Sequence, residues 1–103
     1  MNVNWSDFAS CKLDCIFLRY QQRVSFDYAL ELVDGIVKHT LLLENHPYLG
    51  QKELRLNHSK EFRYLVYKRF KIIYFVDEVN CTVEVANVFD CKRDPQIMVE
   101  DTW

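Results

Sequence analysis

A change in hydrophobic period near residue 60 is the feature that most limits what this chain can fold into. Before it, apolar residues recur at helical spacing in two stretches, at about residues 7–22 and at residues 26–41. After it come three runs rich in β-branched and aromatic residues, at 62–67, 70–76 and 81–89. Two helices followed by a meander of strands predict an α+β domain, with a helical hairpin packed on one face of an antiparallel sheet.

The ends of the two helices carry local signals. Ser6 and Ser25 stand where an N-cap side chain is needed, and the short link between the helices favours an antiparallel hairpin. Pro47 is expected to end the second helix, because proline disfavours a helical conformation in the residue before it. Residues 3–5 and 54–56 are each predicted to form a short extended segment.

Composition narrows the class of protein. The 103 residues fit one domain spanning 1–103, and a hydrophobic fraction of 50% with 15% aromatic residues can fill a core. The formal net charge of −2 does not favour a strong non-specific nucleic-acid binder. No apolar run approaches the ~20 residues of a membrane helix. Because the N-terminus has no basic stretch followed by an apolar one, we expect no signal peptide and a cytoplasmic location.

The sequence carries no motif for cofactor or metal chemistry. With two glycines the chain cannot build a phosphate-binding loop or a dinucleotide fingerprint, so no cofactor is predicted. The three histidines stand at no zinc-ligand spacing, and we therefore expect no bound metal. Cysteines in a cytosolic chain of this size are expected to be reduced thiols. The thiols belong to Cys11, Cys15, Cys81 and Cys91.

The alternation of side chains along the strands predicts that one face of the sheet is not covered by the helices. The face expected to pack on the helices carries Phe62, Tyr64 and Val66 from the first long run and Phe70, Ile72, Tyr74 and Val76 from the second. The opposite face mixes cationic groups with aliphatic and aromatic ones, and a charge-rimmed apolar patch often marks a binding surface. This mixed face is predicted to carry Arg63, Leu65, Tyr67, Lys71, Ile73 and Phe75.

Positive charge is concentrated in the same region. Between Lys52 and Lys71 there are seven lysines and arginines and only two acidic residues, and Lys92 and Arg93 add to this excess. One interpretation is a solvated basic stripe. The other is a surface for phosphates or for an acidic protein segment, and the apolar side chains within it favour this second interpretation.

Five parts of the chain, together covering about residues 3–98, carry a family resemblance. They are residues 5–9, the helical positions Ala9, Leu13, Ile16 and Tyr20, the positions Leu43, Pro47 and Gly50, the paired segments 62–66 and 70–74, and residues 88–95. In this order they resemble the toxins of the RelE/ParE superfamily of bacterial type II toxin–antitoxin systems.

The resemblance implies a β-α-α-β-β-β fold, a toxin that slows growth when free, and a cognate antitoxin that wraps and neutralises it. It also implies one of two targets. RelE-like toxins cut mRNA in the ribosome, whereas ParE-like toxins bind and poison DNA gyrase without being hydrolases.

The resemblance extends to individual residues. In a ribonuclease of the RelE type, Arg63, Lys71 and Arg93 would be the basic catalytic cluster, which stabilises the phosphorane charge. Such toxins often have a tyrosine near the C-terminus, but none follows Arg93, and residues 92–95 look closer to ParE-like members. The favoured function is therefore a gyrase-binding toxin; a ribosome-dependent endoribonuclease and a degenerate, inactive toxin are the alternatives. The predicted antitoxin or target surface is Arg63, Leu65, Tyr67, Lys71, Ile73, Lys92 and Arg93, and the oligomeric state stays open.

Overall fold

A computed structural model describes residues 1–54 and 60–92. Its elements are β1 (Asn2–Trp5), α1 (Asp7–Arg23), α2 (Phe26–Leu41), a 3₁₀ turn (Leu42–Glu44), β2 (Gln51–Lys52), β3 (Arg63–Tyr67), β4 (Phe70–Asp77) and β5 (Thr82–Asp90). This order confirms the predicted α+β fold with a helical hairpin packed on a sheet. Of the extended segment predicted at residues 54–56, Leu54 lies in a turn rather than in a strand. Its other two residues, Arg55 and Leu56, lie outside the described residues, as does Arg93. Neither α1 nor α2 is long and apolar enough to cross a membrane, as far as residues 1–54 and 60–92 show.

Both helices begin at the serines predicted to cap them. The Ser6 hydroxyl accepts a hydrogen bond from the Ala9 N–H at 3.0 Å, and the Ser25 hydroxyl accepts one from the Tyr28 N–H at 3.1 Å. Each bond satisfies a backbone donor that has no partner inside its own helix. The chain leaves the helical conformation through the 3₁₀ turn, three residues before Pro47.

The five strands form one mixed sheet in the order β1-β5-β4-β3-β2. The strands β3, β4 and β5 pair antiparallel, as predicted, and β2, which was not among the predicted segments, pairs antiparallel with β3. In contrast, β1 runs parallel to β5, with Trp5 opposite Val85. The short turns from β3 to β4 and from β4 to β5 oblige these strands to run antiparallel. The connection from β1 to β5 spans most of the chain, so no turn restricts the direction of that pair.

The register of β3 on β4 corrects the predicted sheet faces. Tyr67 lies opposite Phe70 and Leu65 lies opposite Ile72, which leaves a two-residue loop at Lys68 and Arg69. Residues directly opposite each other share a face of an antiparallel sheet. Leu65 and Tyr67 therefore lie on the helix side with Phe70 and Ile72, and the prediction that they share a face with Lys71 and Ile73 is wrong.

The same correction applies to the other half of β3. Tyr64 and Val66, predicted to pack on the helices, lie opposite Ile73 and Lys71 on the far side of the sheet. Phe62 likewise packs with Ile73 and Phe89 rather than against the helices. A shift of one residue exchanges every side chain between the two faces, so the odd-numbered and even-numbered residues of β3 change places.

The main core lies between the helical hairpin and the sheet. Its buried members are Ala9, Ile16, Leu32, Ile36, Leu43, Leu65, Phe70, Ile72, Tyr74, Val83, Val85 and Val88. Val85 and Val88 both face this core although they are three residues apart, because the β4–β5 register shifts between Ile73 and Tyr74. The shift is a β-bulge, which inserts one extra residue into a strand.

A second, smaller cluster lies on the sheet face away from the helices, here called the outer face. Phe62, Ile73 and Phe89 are its buried members, and Tyr64 and Phe75 pack against them. The outer face is therefore the mixed, apolar face that strand alternation predicted, built from a partly different set of residues.

Candidate binding surface

The structure divides the predicted surface between the two sides of the sheet. Lys71 and Ile73 lie on the outer face, whereas Leu65, which is 8% exposed, and Tyr67 belong to the helix side. Arg63 lies on the helix side as well, because it stands opposite the buried Tyr74. Lys92 is exposed beyond the end of β5, and Arg93 lies outside the described residues. The predicted residues thus do not form one continuous patch.

Arg63 ties β3 to the loop that precedes β2. Its guanidinium donates to the carbonyl oxygen of Gly50 at 2.8 Å and to that of Tyr48 at 3.4 Å. It also pairs with the Glu61 carboxylate at 3.1 Å and lies 5.0 Å from the centre of the Tyr48 ring. These contacts use the two terminal nitrogens of the Arg63 guanidinium and compensate its charge.

Lys71 is held in a second ion pair on the outer face. Its ammonium pairs with the carboxylate of Glu53, a residue that is only 6% exposed. The same ammonium lies 4.1 Å from the centre of the Tyr64 ring, a cation–π contact. The Glu53 N–H donates to the Phe62 carbonyl at 2.8 Å, which fixes the backbone beside this pair. Sequence analysis missed Glu53, because no local pattern pairs a carboxylate with a lysine so far along the chain.

The predicted catalytic cluster is consequently not assembled within the described residues. Arg63 and Lys71 lie on opposite faces of the sheet, and each is paired with a carboxylate. Stabilising the charge that develops on a transferring phosphoryl group requires donors that converge on one position. Two cations separated by a sheet cannot converge in this way.

Tyr67 is a packing residue rather than an exposed contact. Its ring lies against α2 where Gly35 leaves room for it, and the His39 ring is 5.6 Å away. A Cβ at Gly35 would stand 2.5 Å from the Tyr67 Cζ, which is far inside ordinary van der Waals distance. An isolated glycine in the middle of a helical pattern was the available sequence signal for this contact.

A groove of about 1140 Å³ opens at one end of the sheet, beside the last residues of β4. Its walls combine aromatic rings with side chains of both charges, including Phe8, Tyr48, Lys60, Arg63, Phe75 and Glu84. The Lys60 ammonium lies 4.2 Å from the centre of the Phe75 ring. The Tyr48 hydroxyl donates to the Glu78 carboxylate, and this hydrogen bond raises the pKa of the tyrosine. We call this feature the end groove.

A smaller cleft of about 260 Å³ lies at the opposite end of β4, where the β3–β4 loop meets the turn between the helices. We call it the hairpin-end cleft; it is lined by Tyr20, Tyr28, Leu32, Lys68, Arg69, Phe70 and Lys92. Arg69 pairs with the Asp90 carboxylate at 2.8 Å, and this hydrogen bond raises the pKa of the guanidinium further. Of the predicted surface residues that the structure describes, Lys92 is the one that lines this cleft.

Metal-ligating side chains do not converge in the part of the chain that the structure describes. No group of three or more histidine, cysteine, aspartate and glutamate side chains could hold an ion there. All four cysteines are free thiols, and Cys11, Cys15 and Cys81 are exposed.

Comparisons with known proteins identify the fold. No family model and no curated protein matches the sequence. Among solved structures, a chain described as "Chromosomal ParDE TA system from P. aeruginosa" superposes with a TM-score of 0.73. The match has 20% sequence identity and covers 87% of this chain and 95% of that chain. The chain therefore shares its fold with a component of a ParDE toxin–antitoxin system, in agreement with the RelE/ParE-like fold that the sequence resemblance implied.

Proposed function

We propose that this chain is the toxin of a type II toxin–antitoxin system, that a cognate antitoxin neutralises it, and that it inhibits growth by binding DNA gyrase. The fold of the ParDE chain and the sequence resemblance both support the first two parts. The third part depends on one observation, which is the separation of Arg63 from Lys71 by the sheet.

That separation weighs against ribonuclease chemistry. A basic cluster that cuts RNA must present uncompensated cations to one phosphate, but Arg63 is paired with Glu61 and Lys71 with Glu53. The sequence also has no tyrosine after Arg93 to stack on a base. Binding without hydrolysis requires neither feature.

The end groove supports a protein target. Aromatic residues and arginine are enriched at the centre of protein–protein interfaces, with polar groups around them. Tyr48 and Phe75 supply aromatic anchors here, and Lys60 and Glu84 supply charge of both signs. A surface that reads only a nucleic-acid backbone would be dominated by positive charge.

The test compares gyrase and translation with the same purified protein. We expect the chain to inhibit supercoiling by gyrase in vitro and to leave mRNA intact in a cell-free translation reaction. In cells, induction should cause filamentation and DNA-damage signalling before protein synthesis falls. The matched control is Gly50→Val, which cannot fit beside Tyr64 and Tyr74 and should lose every effect with the fold.

Two results would contradict the proposal. New mRNA ends at codon positions, with supercoiling unaffected, would identify the ribosome-dependent endoribonuclease instead. Normal growth, normal supercoiling and intact mRNA in the presence of folded protein would identify a degenerate toxin.

A further inference from the structure

We propose that the hairpin-end cleft binds an acidic side chain of a protein partner, with its carboxylate held by Lys68 and Lys92. The neighbouring apolar side chain of the same segment would lie on the rings of Tyr20 and Tyr28. This inference relies on the proposed function in one respect, since it takes the antitoxin to be the partner that carries the acidic segment.

The charge of the cleft is the first argument. Arg69 is neutralised by Asp90, whose side chain is 3% exposed. Within residues 1–54 and 60–92, neither Lys68 nor Lys92 forms an ion pair, and both residues are exposed. Among the described residues, the cleft therefore presents two uncompensated positive charges at one place, although the whole chain carries a formal net charge of −2.

The floor and walls of the cleft are the second argument. Leu32 and Phe70 are 2% and 1% exposed and form an apolar base. The Tyr20 ring lies 5.9 Å from the Tyr28 ring and 6.1 Å from the Phe70 ring, measured between ring centres. The Lys68 ammonium stands 5.9 Å from the centre of the Tyr28 ring, at the rim of this aromatic wall. Cations beside an apolar base match a segment that carries acidic and apolar side chains together.

The size of the cleft indicates which kind of ligand it accepts. A volume of about 260 Å³ is below the ~300–1,000 Å³ typical of small-molecule and cofactor sites. It suits one or two side chains of a longer segment whose other contacts lie outside the cleft. Nucleic acid is the less favourable occupant, because two free cations over an apolar base do not form the extended basic stripe that follows a phosphate backbone.

Binding to this cleft can be measured by NMR titration of the isotope-labelled full chain. The probe is a capped peptide of alternating glutamate and leucine residues, and the reference probes are a lysine–leucine peptide and a single-stranded oligothymidylate. We expect the glutamate–leucine peptide to shift the backbone amides of Tyr20, Tyr28, Lys68, Arg69 and Lys92, with an affinity that falls as salt is added.

Charge-reversal variants give the decisive comparison. Lys68→Glu with Lys92→Glu should raise the Kd for the glutamate–leucine peptide by about tenfold or more. The matched control is Lys12→Glu with Lys38→Glu, which changes the net charge equally on the helices and should alter the Kd by about twofold at most. Circular dichroism establishes that both variants are folded. Lys68→Gln with Lys92→Gln provides a milder pair and should give an intermediate Kd.

Three outcomes would overturn the inference. In the first, both charge-reversal variants bind the glutamate–leucine peptide with equal affinity. In the second, the peptide shifts amides away from the cleft. In the third, only the oligothymidylate shifts the amides at the cleft. The proposed function is tested separately, by growth inhibition and gyrase supercoiling in experiments that use no peptide. If it fails, the chain neither inhibits growth nor affects gyrase, whatever the peptide titration shows.

Discussion

The backbone N–H of Gly50 donates a hydrogen bond of 2.8 Å to the hydroxyl oxygen of Tyr74, in the interior of the protein. Tyr74 is fully buried, and its burial raises the pKa of the phenol. Gly50 is itself confined, because a Cβ there would lie 2.6 Å from both the Tyr64 carbonyl oxygen and the Tyr74 hydroxyl. This contact fixes the loop before β2 against the middle of the sheet, and the end groove opens beside that loop.

Tyr74→Phe is expected to lower the free energy of unfolding by about 1–3 kcal/mol, because it leaves the buried Gly50 N–H without its acceptor. Urea denaturation measures the change. Tyr64→Phe is the matched control, since the Tyr64 hydroxyl donates at 2.9 Å to Gln51 at an exposed position. An equal loss in both variants would show that the Gly50 contact is not responsible.

Gly35→Ala should destabilise the protein by about 1–3 kcal/mol, although alanine normally stabilises a helix relative to glycine. The expected loss comes from the added Cβ, which would overlap the Tyr67 ring. Thermal or urea unfolding measures both variants and their combination. When Tyr67 is already alanine, Gly35→Ala should gain stability instead. A loss in both backgrounds would contradict the packing described for this pair.

Lys68→Gly should raise the free energy of unfolding by about 0.5–1 kcal/mol. Lys68 has a φ of 54°, a left-handed conformation that costs a side-chain-bearing residue about 1–2 kcal/mol. Glycine removes this cost and loses part of the gain through the greater freedom of the unfolded chain. Lys68→Ala is the matched control, because alanine keeps a Cβ and should give no gain. Denaturant midpoints that rise equally in the two variants would contradict the interpretation.

The loop between β3 and β4 explains why the sequence predicted the two faces of β4 correctly and those of β3 wrongly. Whether the odd-numbered or the even-numbered residues of β3 face the core depends on the number of residues in the loop to β4. Favoured two-residue hairpin loops contain glycine or asparagine, whereas this one has Lys68 and Arg69, so the sequence offered no reason to fix its length at two. Both faces of β3 also carry aromatic or aliphatic side chains, so polar residues do not indicate which face is exposed to solvent.

The candidate site shows the same division between local and tertiary information. The N-caps Ser6 and Ser25 and the basic character of the β3–β4 region are local features, and they could be predicted from the sequence. The parallel pairing of β1 and the ion pair between Glu53 and Lys71 depend on the packing of distant segments. Neither has a periodic pattern, a turn motif or a fixed spacing that single-sequence reasoning could use.

The turn between β4 and β5 leads to a prediction about pH. The Asn80 side chain donates to the Asp77 carboxylate at 2.8 Å, and the Asn80 backbone N–H donates to it at 3.2 Å. These bonds, the side-chain bond foremost, lower the pKa of Asp77 from its ordinary value of 3.8. A lowered carboxyl pKa contributes stability above the unfolded value, and that contribution is lost as the pH falls through the folded value.

Asn80→Ala should therefore lower stability near neutral pH and converge with the wild type as the pH drops below about 3.8. Urea denaturation at a series of pH values between neutrality and strong acid measures this convergence. The matched background is Asp77→Asn, in which residue 77 no longer titrates, and there the effect of Asn80→Ala should not vary with pH. A difference between Asn80→Ala and the wild type that stays constant below pH 3.8, or that widens there, would mean that the Asn80 contact does not act through the ionised form of Asp77.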